Sequence, residues 1–157
     1  MPTPNFRLVA IDPEGSPIEP LVLTEVAASV CDGNATFFAT VGYVWPWVSY
    51  LAVANDAADT LLGTCAFKGP PQENQGRKEA EIAYFTFEEF EGQGIGGAMA
   101  AALVGLARAT DAGVHLVAHT LPETNASTHI LTRLGFVQRG TATDEEVGEV
   151  WRWELPQ

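Results

Sequence analysis

Four of the six residues from Gly92 to Gly97 are glycine, with Gln93 and Ile95 between them. They separate a strand-like run, Ala80 to Phe87, from a long apolar run with helical spacing that opens at Ile95. Strand, glycine loop and helix in that order form a phosphate cradle. The first turn of a helix carries backbone N–H groups without partners and a partial positive charge, and a loop free of side-chain bulk lets a pyrophosphate reach them. A phosphorylated cofactor is therefore expected, either a dinucleotide or coenzyme A. Gly92, Gly94 and Gly97 match GxGxxG, and Asp111 stands where a ribose-binding acid could be sought. That fingerprint belongs in the tight first turn of a repeated parallel unit, whereas antiparallel-looking strands come first here and Glu88 to Glu91 intervene before the glycines. No Gly-Lys-Ser/Thr follows, which argues against a P-loop nucleotide site.

The other reactive side chains are few. His115 and His119 on a strand would stand about 13 Å apart, beyond sharing one ion, so no metal is expected. Cys31 and Cys65 are too far apart in sequence for a redox or zinc pattern and read as a reduced thiol pair.

The chain has 157 residues, 46% apolar and 18% charged, which suits one domain spanning 1–157 with a sizeable core. Its net charge of −12, with eight Lys and Arg scattered along the chain, repels nucleic acid and anionic membranes. An acidic balance suits a cationic acceptor such as an amine, but it more often merely keeps a protein soluble and selects no substrate. The most apolar stretch, Gly97 to Ala107, falls short of the roughly 20 residues that span a bilayer. The first twelve residues, broken by Pro2 and Pro4, lack a basic segment followed by an apolar one, and a cytoplasmic location is expected.

These residues need elements to position them. Phe6 to Ile11 alternates as a strand, and a loop punctuated by Pro13, Gly15, Pro17 and Pro20 leads into a helix predicted from Leu21 to about Val30. Tyr43 to Pro46 reads as irregular. Trp47 to Ala54 and Thr60 to Phe67 read as a strand pair joined by Asn55 to Asp59, and Gly69 to Lys78 as a polar surface loop before the next strand. The helix after the glycines stops at Asp111 to Gly113, with Gly113 suited to a left-handed cap, and Val114 to Thr120 follows as a strand parallel to the one before the helix. Asn125 to Leu134 reads as a short helix ended by Gly135. Phe136 to Thr141 and Glu149 to Leu155 can pair across the acidic turn near Asp144 to Gly148, with Trp151 and Trp153 on one face and Arg152 on the other.

With this order in place, the chain resembles the GNAT superfamily of acetyl-CoA-dependent N-acetyltransferases, over most of its length. Glu91 to Gly96 is similar to that family's Arg/Gln-x-x-Gly-x-Gly/Ala signature, with Glu91 at the first position in place of Arg or Gln. Asn125, Ala126 and Ser127, followed by Leu131, Arg133, Gly135 and Phe136, resemble its second segment. Glu81, Ile82, Ala83 and Tyr84, with the ending Val150 to Leu155, look like the branch that acetylates ribosomal-protein N-termini.

The resemblance implies an α/β fold, a central mixed sheet flanked by helices, and acetyl-CoA as cosubstrate. It implies that the backbone of Tyr84, Phe85 and Thr86 pairs with the pantetheine arm, that the amides of Gly92, Gln93, Gly94, Ile95, Gly96 and Gly97 take the pyrophosphate, and that Asn125 contacts the arm's far side. Direct attack on a thioester requires an amine to lose a proton, and Glu81 and His119 are the candidate bases; burial on the cofactor-lining strand would raise the Glu81 pKa. Many relatives protonate the leaving thiolate from a tyrosine where this chain has Leu131, which leaves Ser127 as the nearest matched hydroxyl, or water. Tyr43, Trp45, Trp47 and Tyr50 could wall a cationic amine, although aromatic residues before a strand more often pack. The expected activity is acetyl transfer to a primary amine of a small molecule or peptide, with a homodimer possible and no nucleic-acid or membrane partner. The alternatives are a non-catalytic acyl-CoA-binding or sensing domain and, below it, a nucleotide-binding oxidoreductase.

Overall fold

Pairing the alternating segments by their buried faces builds one mixed sheet. The computed structural model describes residues 3–157. Its strands are β1 (Phe6–Ala10), β2 (Ser49–Ala54), β3 (Leu61–Phe67), β4 (Gln72–Asn74), β5 (Arg77–Thr86), β6 (His115–Thr120), β7 (Val137–Asp144) and β8 (Gly148–Glu154). The helices are α1 (Glu25–Val41), α2 (Ile95–Thr110) and α3 (Ala126–Leu134). Sheet order is β1-β2-β3-β5-β6-β8-β7, with β4 paired to β5 off that path. All pairs are antiparallel except β5 with β6, the pair that α2 connects. The crossover expected from the sequence is therefore present, and the fold is the mixed α/β type.

Every residue of β2 is buried, and its alternation divides the core. Leu51 and Val53 pack with Val9, Ala27 and Cys31 on the α1 side. Tyr50, Ala52 and Ala54 share the larger core with Ile82, Leu116 and Ala118, which meets Ile95, Met99 and Leu103 of α2. Both cysteines are free and buried. Among the described residues, no helix is long and apolar enough to cross a membrane.

Several elements differ from their sequence reading. The first helix begins at Glu25 rather than Leu21, because the Thr24 hydroxyl caps the amide of Ala27, and it runs to Val41 rather than Val30. It continues through Asp32, Gly33 and Asn34, poor helix formers, because Asn34 bonds the Val30 carbonyl and Ser49 while Phe38 buries one turn on. Trp47 and Val48 precede the strand that starts at Ser49. The loop read over Gly69 to Lys78 contains β4, which turns into β5 through Gln75 and Gly76, both at positive φ, the geometry of a tight hairpin. Gly113 is not a left-handed cap: Asp111, in extended conformation, closes α2, and its carboxylate accepts the Gly113 N–H at 3.0 Å.

Candidate active site

The parallel pairing of β5 and β6 covers only Glu79 with His115, Ala80 with Leu116 and Glu81 with Val117. Beyond that point β5 stays registered on β3 as far as Thr86, while the end of β6 follows β8. The two strands part just after Glu81, and the edge of β5 carrying Tyr84, Phe85 and Thr86 faces the opening. An extended ligand arm can add to that edge as a strand would.

At the far end of the opening lies the glycine loop. A short 3₁₀ turn, Glu88–Phe90, links β5 to it, and α2 begins without a side-chain cap on Gly94. The N–H of Ala98 is the first to bond within the helix, to the Gly94 carbonyl at 3.1 Å, so the preceding amides of Ile95, Gly96 and Gly97 carry the orphan donors of the helix start. Gly94 holds φ +78, a left-handed conformation that side chains resist. A Cβ on Gly96 would stand 3.1 Å from Ile130 Cδ1 and 3.4 Å from Thr86 Oγ1, so its bareness preserves the space between β5 and α3. These features fit a pyrophosphate with an arm leading away along β5. The Ile95 side chain is buried, so only its backbone is open to a ligand, and Gln93 sits half-buried in the loop.

Across the opening, Asn125 caps α3. Its Oδ1 accepts the Thr128 N–H at 3.1 Å while Thr128 Oγ1 accepts the Asn125 N–H at 2.9 Å, a capping box in which Thr128, not Ser127, satisfies the backbone. Ser127 is left to meet Tyr84: its Oγ donates to the Tyr84 hydroxyl at 3.4 Å, and that hydroxyl reaches the Ser127 carbonyl at 3.4 Å. Burial raises the Tyr84 pKa, outweighing the opposing bond from Ser127, so the phenol holds its proton. Leu131 is fully buried and takes no part in the opening.

Alternation along β5 and β6 sends Ala80, Ile82, Leu116 and Ala118 into the α2 core and Glu79, Glu81 and His119 to the opposite face. There the His119 Nδ1 lies 3.0 Å from Glu81 Oε2, and the Lys68 ammonium lies 3.4 Å from the same oxygen. The expectation for Glu81 is corrected in sign. Burial pushes its pKa up, but the His119 hydrogen bond and the charge of Lys68 together hold it below the usual carboxylate value. With Glu81 Oε2 accepting from Nδ1–H, Nε2 is the ring nitrogen of His119 left to exchange a proton. The end of β6 is pinned by a buried bond from Trp153 Nε1 to Thr120 Oγ1, 3.0 Å. Arg152, opposite His119 in register, is engaged by Glu79 at 2.8 Å and Glu154 at 3.1 Å.

The pair lines a cleft of about 400 Å³, walled by Lys68 and β5 on one side and by Asp144, Val147 and Val150 of the β7–β8 hairpin on the other. Backbone N–H groups of Glu146 and Val147 hold the Asp144 carboxyl below its ordinary pKa, with help from Lys68 and His119. The aromatic segment is elsewhere. Trp47 packs on Phe67, Tyr43 bonds the Ile11 carbonyl and Tyr50 the Pro46 carbonyl; only Trp45 is well exposed, and none of the four lines the cleft. His115 sits opposite Glu79, four residues from His119, and among the described residues no group of three or more His, Cys, Asp or Glu is arranged to hold a metal. Sequence reasoning missed Lys68 and the Tyr84 hydroxyl. Antiparallel pairing of the strand ending at Phe67 with the one holding Glu81 was the signal that could have located Lys68.

Comparison with known proteins agrees with this fold. No curated protein sequence matches the chain. Among solved structures it is similar to a ribosomal-protein-S5-alanine acetyltransferase from Vibrio fischeri, with 13% identity, TM-score 0.64 and coverage of 86% of this chain and 76% of that one. It is similar to the ribosomal L7/L12 α-N-protein acetyltransferase RimL in complex with coenzyme A, with 21% identity, TM-score 0.61 and coverage of 85% and 72%. A chain of the NatC complex bound to Gag peptide and coenzyme A matches at 13% identity, TM-score 0.60 and coverage of 89% and 84%. The family model for the GNAT acetyltransferase domain matches residues 27–137. The chain thus belongs to the GNAT acetyltransferase family.

Proposed function

We propose that this protein transfers the acetyl group of acetyl-CoA to a primary amine of a small molecule or peptide, by direct attack. The observation that carries the reading is the Glu81–His119 pair, set where β5 and β6 part and facing a cleft open to an acceptor. The bound thioester supplies the acetyl group and a thiolate leaving group. His119 Nε2 takes the proton the amine must lose, and Glu81 keeps the imidazole in the tautomer that can accept it. The amides at the start of α2 hold the pyrophosphate, and the edge of β5 orients the arm. Ser127, in contact with the Tyr84 hydroxyl, is the protein group that returns a proton to sulfur. The similar structures, two ribosomal-protein acetyltransferases and a complex bound to a peptide, support a peptide N-terminus as one acceptor to try first.

The buried Leu131 favours a second reading, a domain that binds an acyl-CoA without turning it over. Calorimetry with acetyl-CoA, coenzyme A and NADH, followed by thiol release against an amine panel, separates the readings. The transferase binds the two coenzyme A species and releases thiol only when an amine is present; binding without amine-dependent release would leave the sensing domain, and binding of NADH alone would overturn both.

A further inference from the structure

Lys68 brings a primary amine into the cleft that the proposed reaction reserves for one. Its backbone N–H donates to the Glu81 carbonyl at 2.8 Å, which anchors the residue beside β5. Its Nζ lies 3.4 Å from the Glu81 oxygen that also meets His119 Nδ1 at 3.0 Å, and Lys68, Glu81 and His119 line one cleft. The side chain is 47% exposed, and among the described residues a single ion pair holds it by a long contact, so the four-carbon stem is free to swing the amine within the cleft. The only other lysine of the chain, Lys78, is bound to Asp111 at 2.7 Å and lies outside the cleft.

We propose that Lys68 is a site of self-acetylation, modified when acetyl-CoA is bound and the acceptor is scarce, and that the product closes the acceptor cleft. This rests on the acetyl-transfer reading above. In the step, the Lys68 ammonium releases one proton through His119 to solvent, and the nitrogen lone pair forms a bond to the acetyl carbon. The carbon–sulfur bond breaks with its electron pair on sulfur. A second proton from the nitrogen ends on sulfur, directly or by exchange through Ser127, and the third stays on the amide. The neutral acetamide can no longer pair with Glu81, and it occupies space the incoming amine needs. The enzyme would thus lose activity during idle exposure to its cosubstrate and be protected by a good acceptor.

The chain carries its own control in Lys78. The wild-type protein is incubated with acetyl-CoA and no amine, and the peptides holding Lys68 and Lys78 are followed by mass spectrometry. Lys68 should gain one acetyl group about tenfold or more faster than Lys78, since a positioned amine reacts as a unimolecular partner. Its rate constant should not depend on protein concentration, and folded His119→Ala should slow Lys68 while leaving Lys78 unchanged. Preincubation with acetyl-CoA should inactivate the wild type but not Lys68→Arg. Equal rates at the two lysines, an unmodified Lys68, or a Lys68 rate untouched by His119→Ala would overturn the proposal. An amine panel run on the same protein separates the two failures: turnover with Lys68 unmodified sinks self-acetylation alone, whereas no turnover and no modification sinks the acetyl-transfer reading as well.

Discussion

Glu91 places a carboxylate at the loop position where relatives carry Arg or Gln, close in sequence to the amides proposed to hold a pyrophosphate. It is exposed, and among the described residues neither Glu91 nor Arg133 forms an ion pair. The side chain is therefore not spent on organising the loop. Glu91→Arg changes the local charge by two units, and at roughly 8 Å in a screened, high-dielectric setting this is worth about 1 kcal/mol. Coenzyme A affinity measured by calorimetry at low salt should rise several-fold and the gain should shrink at high salt. An unchanged or weaker affinity at low salt would reject the electrostatic reading. Gly96→Ala tests the cradle itself. Alanine is about 1 kcal/mol better than glycine inside a helix, while its methyl group enters the space bounded by Ile130 and Thr86. Coenzyme A affinity should fall several-fold with the urea midpoint held, and unchanged affinity would remove the cradle from the account. Gly94 is the poorer probe, since φ +78 and a Cβ 2.6 Å from Thr3 Oγ1 would disturb folding as well as binding. The glycine loop was readable from type and spacing alone, as was Asn125 at the start of a short helix; the contact of Asn125 with a cofactor arm was implied only by the family resemblance. The state of Glu81 was not, because its depressed pKa depends on Lys68 and His119, which reach it from neighbouring strands.

At the scale of elements, the site depends on how firmly β6 and α3 are held beside β5. Removing the capping box with Asn125→Ala should cost about 1 kcal/mol in urea unfolding and also weaken coenzyme A binding; a loss of stability with binding unchanged would confine Asn125 to capping. On the face opposite α2, Glu79 joins β5 to β8 through Arg152, with Arg77 and Asn74 adding contacts. Burial pushes the Glu79 pKa up, but the bonds from Asn74, Arg152 and Arg77 win and hold it below its usual value. A carboxylate with a lowered folded pKa contributes stability above its unfolded pKa of about 4.3 and loses it as pH falls through the folded value. The stability gap between wild type and Glu79→Gln should therefore be full at neutral pH and narrow on acidification below that point, as read from urea unfolding. A gap that is constant with pH would contradict the linkage. The strand-helix-strand crossover was legible because glycines and a run of apolar residues punctuate it. The length of α1 was not, since Asp32, Gly33 and Asn34 resemble a helix end until Ser49 supplies a partner for Asn34. Nor was β4, three exposed polar residues whose pairing shows no alternation.

For the whole molecule, a net charge of −12 sets the field in which a cationic amine and an anionic cosubstrate approach. Added salt should raise the KM of a cationic acceptor more than that of a neutral-bodied one, because screening removes the attraction; equal effects would limit the acidic surface to solubility. In the reaction proposed above, the sheet separates the two ligands, with the pyrophosphate at the start of α2, the acceptor in the cleft on the opposite face, and the gap between β5 and β6 connecting them. Chemistry at that gap is the central claim. It is tested most directly by mass spectrometry of the amine panel after incubation with acetyl-CoA, comparing wild type with His119→Ala at saturating cosubstrate. We expect at least one amine to gain an acetyl group in step with thiol release, and His119→Ala to slow that transfer by roughly 10²-fold or more while coenzyme A affinity is retained. Tight binding of acetyl-CoA with no acetylated amine, or transfer that proceeds at the wild-type rate without His119, would contradict it.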